Sequence, residues 1–136
     1  MTLEISSTLL ARLLNEAANA PEQEVCGLLF GTAERLDAVR PCRNVAAEPD
    51  RAFEIDPAAL IAAHRATRDG GPAIIGCYHS HPNGAATPSA RDAAAAAPDG
   101  ALWIIIADPQ VACYRAVCDG AYVGRFDPVP YRIETA

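Results

Sequence analysis

The stretch Ala73-Ile74-Ile75-Gly76-Cys77-Tyr78-His79-Ser80-His81-Pro82-Asn83-Gly84-Ala85-Ala86-Thr87-Pro88-Ser89-Ala90-Arg91-Asp92 organises the rest of the chain. Its first six residues are an apolar run that reads as a buried strand, on which side chains alternate faces. His79 and His81 therefore leave the strand end on one side and Ser80 on the other, where local packing or hydrogen bonding is its expected role. Thr87-Pro88-Ser89 reads as a helix start and places Asp92 in the first turn. A strand end and a helix N-terminus joined by a short loop bring two imidazoles and a carboxylate together. Those are ligand types that zinc takes, and three protein ligands leave a fourth position for water, the pattern of a catalytic site. Ser89-x-x-Asp92 is also a variant of the capping box, in which each side chain satisfies the other's backbone N–H. That structural role does not exclude metal binding.

Upstream, residues 6–20 have Leu9, Leu10, Leu13, Leu14, Ala17 and Ala18 at helical spacing, with Ser6 or Ser7 as cap and Pro21 as terminator. Residues 25–30 form a short apolar run closed by Gly31 and read as a buried strand, with Glu22 and Glu24 standing before it. Residues 34–45 read as one or two strands joined through Pro41, and residues 53–55 as a further short strand. Asp56-Pro57 opens a second helix that runs to about Arg68, where Asp69-Gly70-Gly71-Pro72 breaks it. His64 lies in that helix and reads as a partly exposed residue with no chemical role.

Downstream of the quoted stretch, Leu102-Trp103-Ile104-Ile105-Ile106-Ala107 shows no polar alternation and predicts a central strand covered on both faces. Residues 111–117 and 121–126 read as a hairpin around Asp119-Gly120, a favoured two-residue turn. The tail ends in an edge strand near residues 131–133. The sum is an α+β domain, one mixed central sheet flanked by helices, with residues 1–136 forming a single domain.

The chain has 136 residues, 51% of them hydrophobic, which suits one compact domain with a core. A net charge of −6 without any Lys/Arg cluster argues against a nucleic-acid surface. No apolar run approaches the ~20 residues of a spanning helix, so no membrane association is expected. Met1-Thr2-Leu3-Glu4-Ile5 lacks the pattern of a signal peptide. The five cysteines are odd in number, scattered and free of any Cys-x-x-Cys pair, which predicts neither disulfides nor a thiolate metal site. Cys26, Cys77 and Cys113 read as small buried hydrophobes. A cytoplasmic, reducing location is the expectation.

The spacing His79-x-His81-x(7)-Ser89-x(2)-Asp92 resembles the signature of the JAMM (MPN+) metalloprotease family. The upstream half of that signature, Glu-x-Cys-Gly-Leu-Leu-x-Gly, is met by Glu24-Val25-Cys26-Gly27-Leu28-Leu29-Phe30-Gly31, and its register selects Glu24 over Glu22. The two halves span most of the chain. Cys77 stands where many relatives have tryptophan, a departure that bears on packing.

The resemblance implies a fold similar to that of the cytidine deaminases, although the deaminases' His-x-Glu and Pro-Cys-x-x-Cys ligands are missing. His-Glu-x-x-His, the helix-borne zinc protease motif, is missing too. By the same resemblance, His79, His81 and Asp92 hold Zn²⁺ together with a water, Glu24 is general base and then general acid, and Ser89 hydrogen-bonds the oxyanion. The implied reaction is hydrolysis of a peptide or isopeptide bond after the C-terminus of a ubiquitin-like or sulfur-carrier protein ending in Gly-Gly. Three other readings are a deconjugating protease of an antiphage ubiquitin-like system, a cell-wall peptide endopeptidase and a non-catalytic MPN scaffold. The last requires broken ligands, and here all are present.

Overall fold

The computed structural model describes residues 2–135. Its elements in chain order are β1 (Leu3–Ser6), α1 (Ser7–Ala18), β2 (Cys26–Gly31), β3 (Leu36–Cys42), α2 (Pro57–Arg68) and β4 (Ile74–Ser80). They continue with α3 (Ala90–Ala95), β5 (Leu102–Ala107), β6 (Gln110–Gly120), β7 (Gly124–Val129) and β8 (Tyr131–Glu134). Six strands form one sheet in the order β3-β2-β4-β5-β6-β7. Only β4 and β5 run parallel; the other neighbours are antiparallel. The expected α+β architecture with a mixed central sheet is the one found.

Alternation along β5 explains how this sheet is covered. Leu102, Ile104 and Ile106 face the layer of Leu9, Leu13 and Ala17 from α1, while Trp103 and Ile105 face Ala96, Phe126 and the half-buried Phe53 on the other side. The long apolar run is thus a strand buried on both faces, each fully buried Leu or Ile contributing about 1.5–3 kcal/mol. A third cluster seats Ala63 of α2 on Leu28 and Phe30.

The same alternation acts on β4. Tyr78 is buried on the α1 side, where its hydroxyl donates to Glu16 Oε1 at 2.5 Å, and His79 faces the other way. Gly27 pairs with Tyr78 across the β2–β4 ladder, and a β-carbon at Gly27 would run into the Tyr78 ring and the Arg40 carbonyl oxygen. The glycine of the upstream motif is therefore the floor under Tyr78. Gly27→Ala is expected to destabilise the protein by about 1–3 kcal/mol through overpacking, read as a lowered urea midpoint with unchanged slope. An unchanged midpoint would contradict this packing.

Several expectations need correction. A strand, β1, precedes the first helix, which starts at Ser7 with Ser6 as cap and stops at Ala18, two residues short of the expected end. Of the two alternatives for residues 34–45 the single strand is the one found: β3 holds Pro41 on the sheet edge, where a missing N–H is tolerated. Residues 53–55 make only a single bridge, Asn44 to Ile55. The terminal strand β8 does not edge the main sheet; it pairs in parallel with β1. The hairpin is present, but β6 runs on through Asp119-Gly120 with a register shift after Ala116, and residues 121–123 make the turn. Asp119 (φ 53°) therefore spends its left-handed conformation on the bulge, and Gly124 (φ 70°) follows the turn.

Candidate active site

The site is built where β4 ends. His79 is the penultimate residue of the strand and wholly buried, and the His81 N–H continues the ladder to the Ile106 carbonyl at 2.8 Å. The two Nε2 atoms meet at 3.0 Å. His81 Nδ1 lies 2.9 Å from the Ala85 carbonyl, which can only accept. That bond places a proton on Nδ1, so the neutral ring keeps its lone pair on Nε2, toward the centre of the cluster, and the imidazolium can donate from Nε2 to Asp92.

Asp92 arrives from the helix side. Ser89 caps α3 with a reciprocal box: the Asp92 N–H donates to Ser89 Oγ at 3.1 Å and the Ser89 N–H donates to Asp92 Oδ2 at 2.9 Å. The same carboxylate places Oδ1 3.0 Å from His79 Nε2 and Oδ2 3.3 Å from His81 Nε2. The capping role and the cluster role are thus carried by one side chain, held in place by the first so that it meets the second.

Glu24 comes from the far side, two residues before the chain enters the β2 pairing. It is buried, and one oxygen lies within 4.8 Å of ligand nitrogens of both His79 and His81. Ser80, between the histidines, does more than the local bonding expected of it. Its Oγ accepts from the Val25 N–H at 2.9 Å and its N–H donates to the Val25 carbonyl at 3.0 Å. These two bonds fix the residue after Glu24 against the residue between the histidines, far apart in sequence.

The electrostatics follow from burial and these contacts. Burial pushes Glu24 up to about 7; His81 pulls it back and Asp92 adds to the rise. Burial also opposes ionisation of Asp92, but hydrogen bonds from His79, His81 and the Ser89 N–H outweigh it and hold the carboxyl well below the usual range. Burial keeps His79 below the usual histidine value despite Asp92. His81 is lifted above it, because its bonds to Asp92 and the Ala85 carbonyl more than offset burial.

Two imidazole nitrogens and a carboxylate converging at about hydrogen-bond distance, one imidazole fixed in the tautomer that bares Nε2, fit a divalent cation of borderline softness. His79 Nδ1 has no partner among the described residues and lies among the rings of Phe53, stacked at 4.3 Å, and Trp103. The cleft that opens on the cluster has a volume of about 410 Å³ and is lined by Glu24, Asp50, Arg51, His81, Ser89 and Arg91, among others. A larger hollow of about 620 Å³ lies to one side of it, with the exposed His64 on its rim and none of the cluster's titratable groups in its lining.

The cysteines stand apart from this chemistry. None is in a disulfide, and burial pushes the thiols of Cys26 and Cys113 up to about 12. Asn44 and Phe53, which hold the site from a loop, were not among the residues picked out from sequence. A lone asparagine in a polar stretch gives no periodic signal.

A mixed sheet with helices on both faces and a His/His/carboxylate cluster at the end of its parallel pair is the JAB/MPN class of α+β fold. The chain matches the family of prokaryotic homologs of the JAB domain over residues 6–117 and belongs to it, making it a prokaryotic relative within JAMM/MPN. Over 107 residues it is 36% identical to a desampylase of Haloferax volcanii, covering 77% of each chain. Over 82 residues it is 43% identical to a probable TtuB-protein conjugate cleaving protease of Thermus thermophilus, covering 60% of this chain and 52% of that one. Among solved structures, a protein of Desulfitobacterium hafniense superposes with a TM-score of 0.83 at 24% identity, covering 99% of this chain and 94% of that one. A chain described with a JAMM metalloprotease-like zinc site in the proteasome and signalosome gives 0.58 at 20%, covering 97% and 99%. Both likenesses are of fold.

Proposed function

We propose that this protein is a zinc-dependent peptidase or isopeptidase that cleaves the bond following the C-terminus of a small ubiquitin-like or sulfur-carrier protein. The observation that carries the reading is the pair His79 and His81, met by Glu24 on one side and by Asp92 on the other, beside an open cleft that Glu24, His81 and Ser89 line. The desampylase and conjugate-cleaving relatives support the substrate class. Residues 1–136 are read as one such domain.

In this reading His79, His81 and Asp92 hold the metal and Glu24 does not, a division that follows the family register; geometry alone offers both carboxylates. Bound Zn²⁺ supplies Lewis acidity, polarising the scissile carbonyl and making water a better nucleophile near neutral pH. Glu24, a buried carboxylate beside the two histidines, takes the proton of the attacking water at a side-chain oxygen and returns it to the leaving amine. Ser89 Oγ accepts the Asp92 N–H, so its own hydroxyl proton remains to donate to the carbonyl oxygen as that oxygen becomes negative. Arg91 lines the cleft together with Arg51, which pairs with Asp50 at 3.7 Å. A Gly-Gly terminus suits such a cleft, because only glycine lets the substrate backbone approach without a β-carbon.

The test is intact-mass spectrometry of a sulfur-carrier protein bearing a short peptide after its terminal Gly-Gly, incubated with zinc-loaded protein. Cleavage after the second glycine, lost on chelation, is expected. No cleavage by a protein that retains zinc would overturn the carrier reading.

A further inference from the structure

Residues 43–56 leave the sheet after β3 and close on themselves before α2. The Asp56 N–H donates to the Arg43 carbonyl at 3.1 Å, Asn44 and Ile55 form an antiparallel bridge, and the Val45 N–H donates to the Glu54 carbonyl at 2.9 Å. At this neck the Asn44 side chain uses its whole hydrogen-bonding capacity. Oδ1 accepts from the N–H groups of Ala46 and Glu54, both at 3.0 Å, and Nδ2 donates to the Ala52 carbonyl at 3.0 Å and the Glu24 carbonyl at 2.9 Å. Three of these bonds shape the loop, and the fourth ties it to Glu24.

From the loop so held, the Pro49 carbonyl accepts the Glu24 N–H at 2.7 Å. Both main-chain polar groups of Glu24 therefore end on one loop. The same loop carries Phe53, whose ring lies 4.3 Å from that of His79 and within 18° of parallel to it. We infer that Asn44 is a positioning residue: it locks residues 43–56 into a clamp that sets Glu24 and His79 relative to one another. The role in turnover rests on the peptidase reading; the clamp itself does not.

The side-chain chemistry is selective. Asn44 supplies two donors and a doubly accepting oxygen at one reach. Aspartate of the same shape would set a carboxylate against the carbonyls of Glu24 and Ala52, serine has a single donor, and alanine none. A shift of about 1 Å in a reacting group costs on the order of a hundredfold in rate.

Asn44→Asp and Asn44→Ala in the full chain, loaded with zinc, test this by peptide-resolved hydrogen exchange, zinc stoichiometry and kinetics on the carrier fusion. Expected are faster exchange confined to the segments containing Glu24 and residues 45–54, unchanged protection in β4 and β5, and retained zinc. Turnover should fall about 30- to 100-fold, with KM within about threefold. Asn44→Asp should be no better than Asn44→Ala. Wild-type protection at Glu24 and the loop, turnover within twofold of wild type, or exchange raised evenly through β4 and β5 in both variants would each overturn the clamp. If the wild-type protein cleaves no conjugate, the peptidase reading fails, and local exchange alone decides the clamp: it stands if protection is lost only there and falls otherwise.

Discussion

Glu24→Ala is expected to lower turnover about a thousandfold while the protein folds and keeps its zinc. The expectation follows from the reading in which Glu24 moves a proton without holding the metal, His79, His81 and Asp92 being sufficient for that. Single-turnover cleavage of the carrier fusion, with zinc measured on the same sample, checks it. Glu24→Gln should lose as much, since it keeps the volume and the polarity but not the basicity. Full activity in either variant would remove Glu24 from the mechanism, and loss of zinc would make it a ligand. Stability gives an independent readout in metal-free protein. Burial raises the folded-state pKa of Glu24 from an ordinary 4.5 to about 7, so the folded form binds the proton more tightly than the unfolded form. The resulting stability is fully present below about pH 4.5 and is lost as pH rises through 7. Glu24→Gln removes that dependence, so its urea midpoint relative to wild type should be higher at pH 8 than at pH 5.

Asp92 is expected to give the second large effect, and in a form that separates its two roles. Asp92→Ala removes a proposed ligand and half of the capping box, so zinc affinity should fall more than about a hundredfold, beyond the loss of an outer-shell partner. The fold should also lose about 1 kcal/mol from the cap. Asp92→Asn keeps an oxygen to accept the Ser89 N–H but gives up the charge. Its metal-free stability should fall, because the charge that His79 and His81 favour is gone although the cap acceptor remains, and zinc affinity should drop as well. Competition with a chromophoric chelator measures the affinity and urea unfolding the stability. An asparagine variant that binds zinc as wild type does would reduce Asp92 to a helix cap.

Where sequence and structure agree, the cause is a short-range rule. The two-residue period of β4 put His79 and His81 on one side and Tyr78 and Ser80 on the other, and Ser89-x-x-Asp92 announced a capping box that is present. The uninterrupted apolar run of residues 102–107 announced a doubly covered strand. The misses concern partners distant in the chain. Leu3-Glu4-Ile5-Ser6 alternates as a strand should, but it pairs with β8, at the other end of the chain, and bridges Arg35 through Glu4. Asp119-Gly120 has good turn chemistry, yet the β6–β7 register shift uses it before the turn is reached. Asn44 and Ser80 act on the backbone of Glu24 and Val25, and no local pattern encodes which carbonyl or N–H a polar side chain will find.

The segments that meet around Glu24 are joined only by tertiary pairing: β2 lies between β3 and β4, and β4 between β2 and β5. An unfolded or half-made chain carries His79, His81 and Asp92 within one short stretch, but it has neither their fixed geometry nor Glu24 beside them. A metal that binds the assembled cluster more tightly than the unfolded stretch stabilises the native population by mass action, by at most about 4 kcal/mol at a thousandfold excess over Kd. In the proposed mechanism, hydrolysis then waits on the β2–β4 pairing that sets Glu24 beside the histidines.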